Sequence, residues 1–568
     1  MKRIFKYLMM TVIAAGTMFY SCETTELEDL VSPNALSPDL ADADLLLNSI
    51  QVSYLGAMQD MQYNGAALGR ISYMGGRVYY NNFGSGTVSG AWGSLYSGML
   101  PDIAAIEAQN GEDNLLAFHL GISKAMAAHV MMGIVDSVGD IPWSQANNPT
   151  EFPSPSVDDD ADVYAAAVAM LDEAESYLNA AGGGDDLFYG GDSSKWMKFV
   201  NTLRMRAMLT TGDYAGALAQ GGVIDTADAD MQFNYGTQEL QPDTRHPWYQ
   251  SDYTTSGANI YQSSWLMDTM IGDINEWYTA PVGYPGIGNE EDGAVQRAVQ
   301  SDDPRRRYYF YRQQWITPGQ AGMLYAFDAG PYVWPLSWGG NFEDTANGET
   351  LQCSLQLQPF HLDFTEDGGD GTMVGRWCAG KLGYWGRHHG NDEGIPPDNF
   401  TRTAVGVYPA GGSFDNQPDV PNYDNYGSLS GTNAGIKGAV WQGNGGGGAG
   451  IWPIYLSSYV HFMKAEAAMW VGDVATARAM MEIGMQHSFD KVLSMGSVDP
   501  DADSNYFATA TEVSDFISMK LAEFDAAPLS NTSDPLAPST TKDKLDVLGE
   551  QYFVCLLYTS DAADEFSC

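Results

Sequence analysis

One short stretch of the chain carries the side chains that metal sites use. The stretch RHHGNDE (387–393) contains two histidines and two carboxylates. Zinc is bound by imidazole and carboxylate, and calcium by carboxylate oxygens. Adjacent histidine side chains diverge on a strand or loop, so these two do not converge on one ion. We therefore expect a solvated, hydrogen-bonded loop here, and no metal.

A second stretch has the glycine spacing of a nucleotide site. The run GNGGGGAG (443–450) contains a literal GxGxxG. A dinucleotide site also needs a strand before that motif and a helix after it, and here Pro453 follows soon afterwards. The run predicts a mobile loop and no cofactor. The sequence contains no GxSxG, HExxH or Walker A motif, so no catalytic residue is assigned.

Aromatic residues in glycine-rich loops form a third group. Unlike Trp92 and Trp196, which lie on apolar helical faces and are expected in the core, they have no helical face to bury. Flat rings stack on sugar faces or on peptide side chains, and amides fix the orientation of the ligand. The predicted ligand-contacting residues are Tyr79, Tyr80, Asn81 and Phe83 in GGRVYYNNFGSG and Tyr332, Trp334 and Trp338 in PYVWPLSWGG.

These loops need a scaffold, and the sequence predicts a helical one. In WMKFVNTLRMRAML (196–209) apolar residues recur at helical spacing, and Asp192 or Ser193 can cap the helix. An alanine-rich segment, DADVYAAAVAMLDEAESYLNAAGGG (160–184), predicts a helix that glycines terminate.

A short internal repeat indicates how the helices are arranged. GDYAGALA (212–219) recurs as GDVATARA (472–479). In each copy the glycine can end one helix in the left-handed conformation, and the aspartate can cap the next. Both copies predict helix-turn-helix hairpins of tetratricopeptide type, without a regular 34-residue array. Their wide separation predicts one helical scaffold split by an insertion.

The segment between the repeats has the composition of that insertion. Residues 221–454 are rich in Gly, Pro, Asn and aromatics, which predicts loops and short strands. Loops on a rigid scaffold are where binding surfaces concentrate. The predicted fold class is therefore mainly α, with a tetratricopeptide-like hairpin scaffold and a large loop-rich, aromatic insertion.

Composition excludes several classes of protein. The 568 residues carry a net charge of −45, which argues against nucleic acid and against electrostatic docking on an anionic membrane. Five cysteines in so long a chain are not a disulfide framework. Cys353 and Cys378 could form one disulfide or remain two buried thiols.

The first residues have the layout of a secretory signal. A short basic start precedes an apolar stretch at 7–20, too short for a comfortable transmembrane helix. Cys22 follows at once, and an acidic stretch suited to a solvated tether comes next. The spacing predicts a lipoprotein signal with lipidation of Cys22, although only Ser21 fits the usual residues of the cleavage motif well.

Motifs along the chain resemble those of the SusD/RagB-like outer-membrane lipoproteins of Bacteroidetes. In order they are DSVGDIPWSQA (136–146), VYAAAVAMLDEA (163–174), YGGDSSKWMKFVNTLRMR (189–206), DDPRRRYYF (302–310), GIPPDNFTRTAVGVYPAGGSFD (394–415) and YVHFMKAEAAMWVGD (459–473). The resemblance covers nearly the whole mature chain. It departs at the end, where CLLYTSDAADE is similar to translated sequencing-adapter read-through, so we expect residues 557–568 not to belong to the natural protein.

The resemblance implies a role as well as a fold. Members of the family bind a nutrient at the cell surface, act as a lid on a SusC-like TonB-dependent transporter, and are not enzymes. It implies lipidation of Cys22 and an oligosaccharide or peptide ligand. Asp303, Pro304 and Arg305 are typical of the family, and we expect them to be structural. The expected segments are a signal (1–21), a tether (22–40), the scaffold (41–220 and 455–556) and the ligand-face region (221–454).

Two other classes stay open from the residues alone. One is a tetratricopeptide-like adaptor that binds protein, which regular repeats and an apolar concave groove would favour. The other is a surface glycosidase, since 72 acidic residues supply many chance carboxylate pairs.

Overall fold

The computed structural model describes residues 41–76, 78–271, 303–313, 360–362, 373–375, 389–390, 402–416, 440–529 and 542–556. The predicted residues Cys22, Tyr332, Trp334, Trp338, Cys353 and Cys378, and the tail at 557–568, lie outside them.

The described chain is mainly helical, as predicted. The helices up to the insertion are α1 (Ala43–Leu68), α2 (Tyr79–Asn82), α3 (Ser89–Gly93), α4 (Leu100–Gln109), α5 (Ala117–Val138), α6 (Asp160–Ala180), α7 (Ser193–Thr210) and α8 (Tyr214–Ala219). A π-helical segment, Ser94–Met99, joins α3 to α4. Within and after the insertion lie α9 (Pro247–Asp252), α10 (Ser264–Ile271), α11 (Arg306–Tyr309), α12 (Ser457–Trp470), α13 (Val474–Ser494), α14 (Ala510–Ala526) and α15 (Lys544–Cys555).

The strands that the structure describes form antiparallel pairs. They are β1 (Met231–Asn234) with β8 (Ile451–Tyr455), β2 (Tyr253–Thr254) with β3 (Gly257–Ala258), β4 (Phe310–Tyr311) with β7 (Ala404–Val405), and β5 (Phe360–Leu362) with β6 (Met373–Gly375). Among the described residues, turns of 3₁₀ helix occur at Ala227–Ala229, Met495–Val498 and Ser504–Tyr506.

Helix α7 begins and packs as its sequence predicts. The Asp192 carboxylate accepts hydrogen bonds from the backbone N–H groups of Ser194 and Lys195, in the first turn, where N–H groups have no carbonyl partner four residues back. The predicted apolar face is buried, with Trp196 fully enclosed. Trp92 differs: it is only partly buried and packs against Tyr96, with ring centroids 4.8 Å apart.

The two copies of the glycine–aspartate repeat are confirmed as helical hairpins. Gly212 and Gly472 have φ of +84° and +80°, a conformation that glycine adopts at no steric cost. Asp213 caps α8 by accepting from the N–H of Gly216, and Asp473 caps α13 by accepting from the N–H of Thr476.

The hairpins on either side of the insertion are neighbours in space. Helix α12 packs against both α7 and α8. The chain leaves the scaffold through β1 and returns through β8, and these strands pair with Met231 opposite Tyr455 and Asn234 opposite Ile451. The scaffold is therefore continuous in space across the insertion, and the domain boundaries predicted at 220 and 455 stay a prediction.

Helix α5 forms the centre of the first helical group. It is apolar enough and long enough to cross a membrane, but 89% of its most apolar window is buried inside the protein. Its one lysine, Lys124, is paired with Glu107 and Glu173 at 2.5 and 2.7 Å. These partners balance the one lysine charge, and the burial identifies α5 as a core helix.

The glycine run at 443–450 is packed, and the prediction of a mobile loop is wrong. Gly446 and Gly448 donate hydrogen bonds to the carbonyls of Gly412 and Gly411. A Cβ on Gly445 would lie 2.2 Å from the carbonyl carbon of Gly412. The glycines are needed because two stretches of backbone approach closely.

The segment Asp303–Arg305 anchors the insertion to the last helices. Arg305 is fully buried and pairs with Asp303 at 2.5 Å. Its guanidinium also donates to Ser488 on α13 and to Gln551 on α15, at 2.8 and 3.2 Å. These contacts are those of a structural ion pair.

Candidate functional site

An aromatic turn, residues 78–83, follows the end of α1. The chain leaves α1 through Arg70, whose φ is +62°, and a bridge between Ser72 and Gln262 ties it to the insertion. Gly76 has φ of +113°, and a Cβ there would lie 2.6 Å from Nδ2 of Asn82. Only glycine fits there, so the sequence places the one-turn helix α2 close against its own entry segment.

Two of the predicted aromatic residues stack on each other within this turn. The rings of Tyr79 and Phe83 have centroids 5.9 Å apart and planes 28° from parallel. The Tyr79 hydroxyl hydrogen-bonds to Nε2 of His389 at 2.9 Å, and the N–H of Gly390 donates to the carbonyl of Met74. Residues 389–390 of the insertion therefore support the turn.

Tyr80 projects from the turn into solvent. Its side chain is 85% exposed, more than any other large apolar or aromatic residue among those described, and its neighbour Asn81 is also exposed. Burial of an aromatic ring is favourable, and a ring held in water is available to stack on a ligand. Of the predicted binding residues, Tyr79, Tyr80, Asn81 and Phe83 lie together here.

Further aromatic residues, which the sequence did not single out, lie beside this turn. Tyr73 packs edge-on against Tyr261, with centroids 5.6 Å apart, and the Arg402 guanidinium lies 3.8 Å above the Tyr261 ring. These residues come from three distant segments. Composition alone could have flagged Tyr73, which stands in the same glycine-rich loop, but no local signal connects Tyr261 with Arg402.

An open cleft begins at the aromatic turn. It lies between α1 and α5, has a volume of about 290 Å³, and is named here the α1–α5 cleft. Phe83 of the aromatic turn lines it, together with Met61 and Leu68 of α1 and Val138 of α5. Asp136 and Arg206 form the polar part of its lining, called here the polar end.

Three buried side chains determine the electrostatics of that polar end. Asp136 pairs with Arg206 at 2.6 Å, and its second oxygen accepts from the Tyr164 hydroxyl at 2.5 Å. Burial raises the pKa of Tyr164, so its proton stays in place to donate this bond. Because the carboxylate and the guanidinium balance each other, this end of the cleft is polar without a net charge.

His129 lies against the same cleft as a neutral imidazole. Its Nδ1 shares a hydrogen bond with the Tyr54 hydroxyl at 2.8 Å, and burial lowers its pKa well below the ordinary value. A neutral ring adds a hydrogen-bonding group to the wall without adding charge.

One cluster of carboxylates has the spacing of a cation site. Asp140, Asp159 and Asp160 have oxygens within 4.8 Å of one another, and all three are exposed. Asp159 caps α6, and Asp140 accepts from the N–H of Asp160. The cluster is thus accounted for by helix capping, and nothing else in the described chain points to an ion there.

Helical hairpins lie on both sides of a long insertion, and the strand pair β1 with β8 lies where the insertion begins and ends. The class of protein is therefore a helical scaffold that one insertion divides in sequence. A family described as starch-binding and associating with the outer membrane matches residues 41–329. The chain therefore belongs to the SusD-like family.

Solved structures share this fold. A SusD/RagB family protein from Bacteroides thetaiotaomicron is 14% identical, with a TM-score of 0.53 over 92% of this chain and 86% of its own. A chitin-binding protein is 18% identical, with a TM-score of 0.50 over 93% and 86%. A SusD homologue from Parabacteroides distasonis is 13% identical, with a TM-score of 0.51 over 92% and 84%. A comparison with curated protein sequences gives no match.

Proposed function

We propose that this protein is a cell-surface nutrient-binding lipoprotein that captures an oligosaccharide at the aromatic turn. The observation that carries the proposal is Tyr80, which is 85% exposed on a turn that Tyr79, Phe83 and His389 support. A supported turn presents the ring at little further entropic cost, which is what a stacking platform needs.

The chemistry of the site favours a neutral glycan. The apolar face of a sugar ring stacks on Tyr80, and Asn81 beside it can both donate to and accept from hydroxyl groups. The chain carries a net charge of −45, so an acidic glycan is repelled on approach. The description of the family as starch-binding and the chitin-binding structural relative support the same ligand class.

The proposal includes an anchor and a partner. Lipidation of Cys22 holds the protein on the outer membrane, and the acidic segment after it serves as the tether. The captured ligand then passes to a SusC-like TonB-dependent transporter, on which the protein acts as a lid. The association of the family with the outer membrane supports this placement.

The proposed role is binding without catalysis. In the cleft, both oxygens of the Asp136 carboxylate are already engaged, one by Arg206 and the other by the Tyr164 hydroxyl. We therefore expect bound oligosaccharide to be recovered intact.

Calorimetric titration of the soluble chain beginning at Glu23 tests the proposal. Maltohexaose and chitohexaose represent neutral glycans, oligogalacturonate an acidic one, and a tryptic digest the peptides. Saturable heat with a neutral glycan, weakened at least about tenfold by Tyr80→Ala, is expected. Trp470→Ala removes an exposed ring from the scaffold and should leave that affinity unchanged.

Other results would redirect the proposal. Saturable heat with peptides alone would make the ligand a peptide, which members of the resembled family also bind. Glycan binding that is indifferent to Tyr80→Ala would move the site away from the aromatic turn.

A further inference from the structure

We propose that the α1–α5 cleft is a second subsite, which takes one neutral sugar ring at the end of the glycan that the aromatic turn holds. The proposal rests on the proposed function, because one ligand is taken to span both places. The connection between them is Phe83, which stacks on Tyr79 in the turn and also lines the cleft.

The polar end of the cleft suits a polyhydroxyl group better than an ion. Asp136 and Arg206 lie 2.6 Å apart with side chains only 7% and 5% exposed, and both lie on the cleft wall. A sugar hydroxyl can donate to the carboxylate and a neighbouring hydroxyl can accept from the guanidinium, and hydrogen bonds to charged groups are the strong ones. An anion would meet the Asp136 carboxylate, and a cation would meet the Arg206 guanidinium.

The cleft also has apolar walls, against which a sugar ring can pack. Met61 and Leu68 of α1, Val88 and Phe83 line them. The carbon-bound hydrogens on the face of a pyranose are apolar and pack against such side chains. The volume of about 290 Å³ is just below the usual range of ligand pockets, about 300–1,000 Å³, so the cleft takes one ring and not a run of them.

Hydrogen bonds hold the cleft open before any ligand arrives. The Asn64 amide on α1 donates to the carbonyls of Thr87 and Asp60, at 2.8 and 2.9 Å. Asp60 accepts in turn from the N–H of Ala91 at the start of α3. Residues 83–88 are thus tied to α1, and a ligand need not order that wall.

Ser137→Trp tests the cleft without disturbing its buried pair. Ser137 is exposed and lines the cleft, and its hydroxyl bonds to the Gly133 carbonyl of its own helix. An indole there would block entry. Val52→Trp places the same bulk at an exposed position of α1 that does not line the cleft, and serves as the matched control. Thermal unfolding of both variants checks that the fold is intact.

Binding is followed in two ways with the soluble chain beginning at Glu23. Calorimetry uses maltohexaose and chitohexaose. Methyl NMR uses ¹³C-methionine protein titrated with glucose, galactose, N-acetylglucosamine and glucuronate. The Met61 signal, assigned by its loss in Met61→Leu, reports on the cleft wall directly.

The expected result is a shift of the Met61 signal with a neutral monosaccharide but not with glucuronate. Ser137→Trp should abolish that shift and weaken the hexasaccharide at least about tenfold, whereas Val52→Trp changes neither. Suppose that Ser137→Trp abolishes the Met61 shift with monosaccharide and Tyr80→Ala leaves the hexasaccharide affinity unchanged. That result would support a sugar site in the cleft and refute one at the aromatic turn.

Three results would overturn the cleft proposal. If Tyr80→Ala weakens hexasaccharide binding and Ser137→Trp does not, the cleft proposal is wrong and the proposed function still holds. A Met61 shift with glucuronate in preference to neutral sugars would refute the ligand chemistry. No response to any sugar in either experiment would refute the cleft and the neutral-glycan function together.

Discussion

Tyr214 and Trp470 stack on each other, with ring centroids 5.4 Å apart and planes 18° from parallel, although they lie on opposite sides of the insertion. Tyr214 begins α8 in the first glycine–aspartate repeat, and Trp470 ends α12 just before the second. The contact therefore joins the two repeats into one scaffold. A strand pair, β1 with the fully buried β8, connects the two ends of the insertion.

This stacking predicts measurable coupling between the two hairpins. In a double-mutant cycle of Tyr214→Ala and Trp470→Ala, the interaction free energy should be about 0.5–1 kcal/mol, because both rings are partly exposed. Urea unfolding of the four proteins measures it. Strict additivity would mean that the hairpins are not coupled through these rings.

The buried pair Asp303–Arg305 predicts a large loss of stability when the cation is removed. Arg305→Ala leaves the Asp303 carboxylate buried without its partner and should cost about 3–5 kcal/mol. Arg478→Ala breaks the half-exposed pair with Asp525 and should cost less than about 1 kcal/mol. Urea midpoints compare the two variants, and equal losses would contradict a structural role for Arg305.

The glycine run predicts a contrast between two glycine positions of similar backbone conformation. Gly443 and Gly445 have φ of +87° and +62°, but a Cβ meets nothing within 4 Å at Gly443 and backbone at 2.2 Å at Gly445. Gly443→Ala should cost about 1–2 kcal/mol from conformation alone. Gly445→Ala should cost at least about 2 kcal/mol more, because the two backbones must separate. Similar unfolding midpoints would show that the run is not tightly packed in solution.

His246 predicts part of the loss of stability in acid. Burial lowers its pKa from 6.5 to about 3. Below pH 6.5 the imidazole takes up a proton in the unfolded chain but not in the folded protein. The contribution of His246 to the free energy of unfolding is therefore greatest near pH 7 and falls as the pH drops towards 3. The loss from this group should reach about 2 kcal/mol at pH 5.

His246→Asn isolates that contribution. Asn can still accept from the N–H of Trp248, as Nδ1 of His246 does at 3.1 Å, and it does not titrate. Asp252 acts in the opposite direction, since burial raises its pKa to about 6 and stability falls as the pH rises through 4–6. Both proteins keep Asp252, so the difference between their unfolding free energies at pH 7 and pH 5 reports on His246. A difference that does not change with pH would contradict the assignment.

The proposed anchor predicts that Cys22 carries lipid. When the protein is expressed in a bacterium that has an outer membrane, Cys22→Ser should abolish incorporation of labelled palmitate and release the protein from the membrane fraction. Cys555→Ser is the control, because Cys555 is buried in α15. Label that persists in Cys22→Ser would place the anchor elsewhere.

The scaffold was predictable from the sequence because its signals are local. The cap at Asp192, the left-handed glycines at 212 and 472 and the apolar face of α7 each depend on residues a few positions apart. The aromatic turn was also predictable in part, since Tyr79 to Phe83 stand between glycines that exclude a long helix. Trp92 is less buried than its helical spacing predicts, because spacing alone does not say how fully the neighbouring elements cover that face of the helix.

The packed glycine run and the cleft could not be predicted from the sequence, because both depend on contacts between segments that lie far apart in the chain. GNGGGGAG has the composition of a free loop, and only the approach of residues 409–412 makes its glycines necessary. Asp136, Tyr164 and Arg206 come from three helices and carry no shared motif.

The sequence by itself determined the helices, the hairpin turns and the presence of a long aromatic insertion, because hydrogen bonds and side-chain periodicity within short segments decide them. Tertiary structure alone decided that the hairpins meet across the insertion, that Phe83 connects the turn to a cleft, and that an ion pair lies at its polar end. Those features depend on contacts between segments that are distant in the chain, and such contacts form and contribute to stability only in the folded protein.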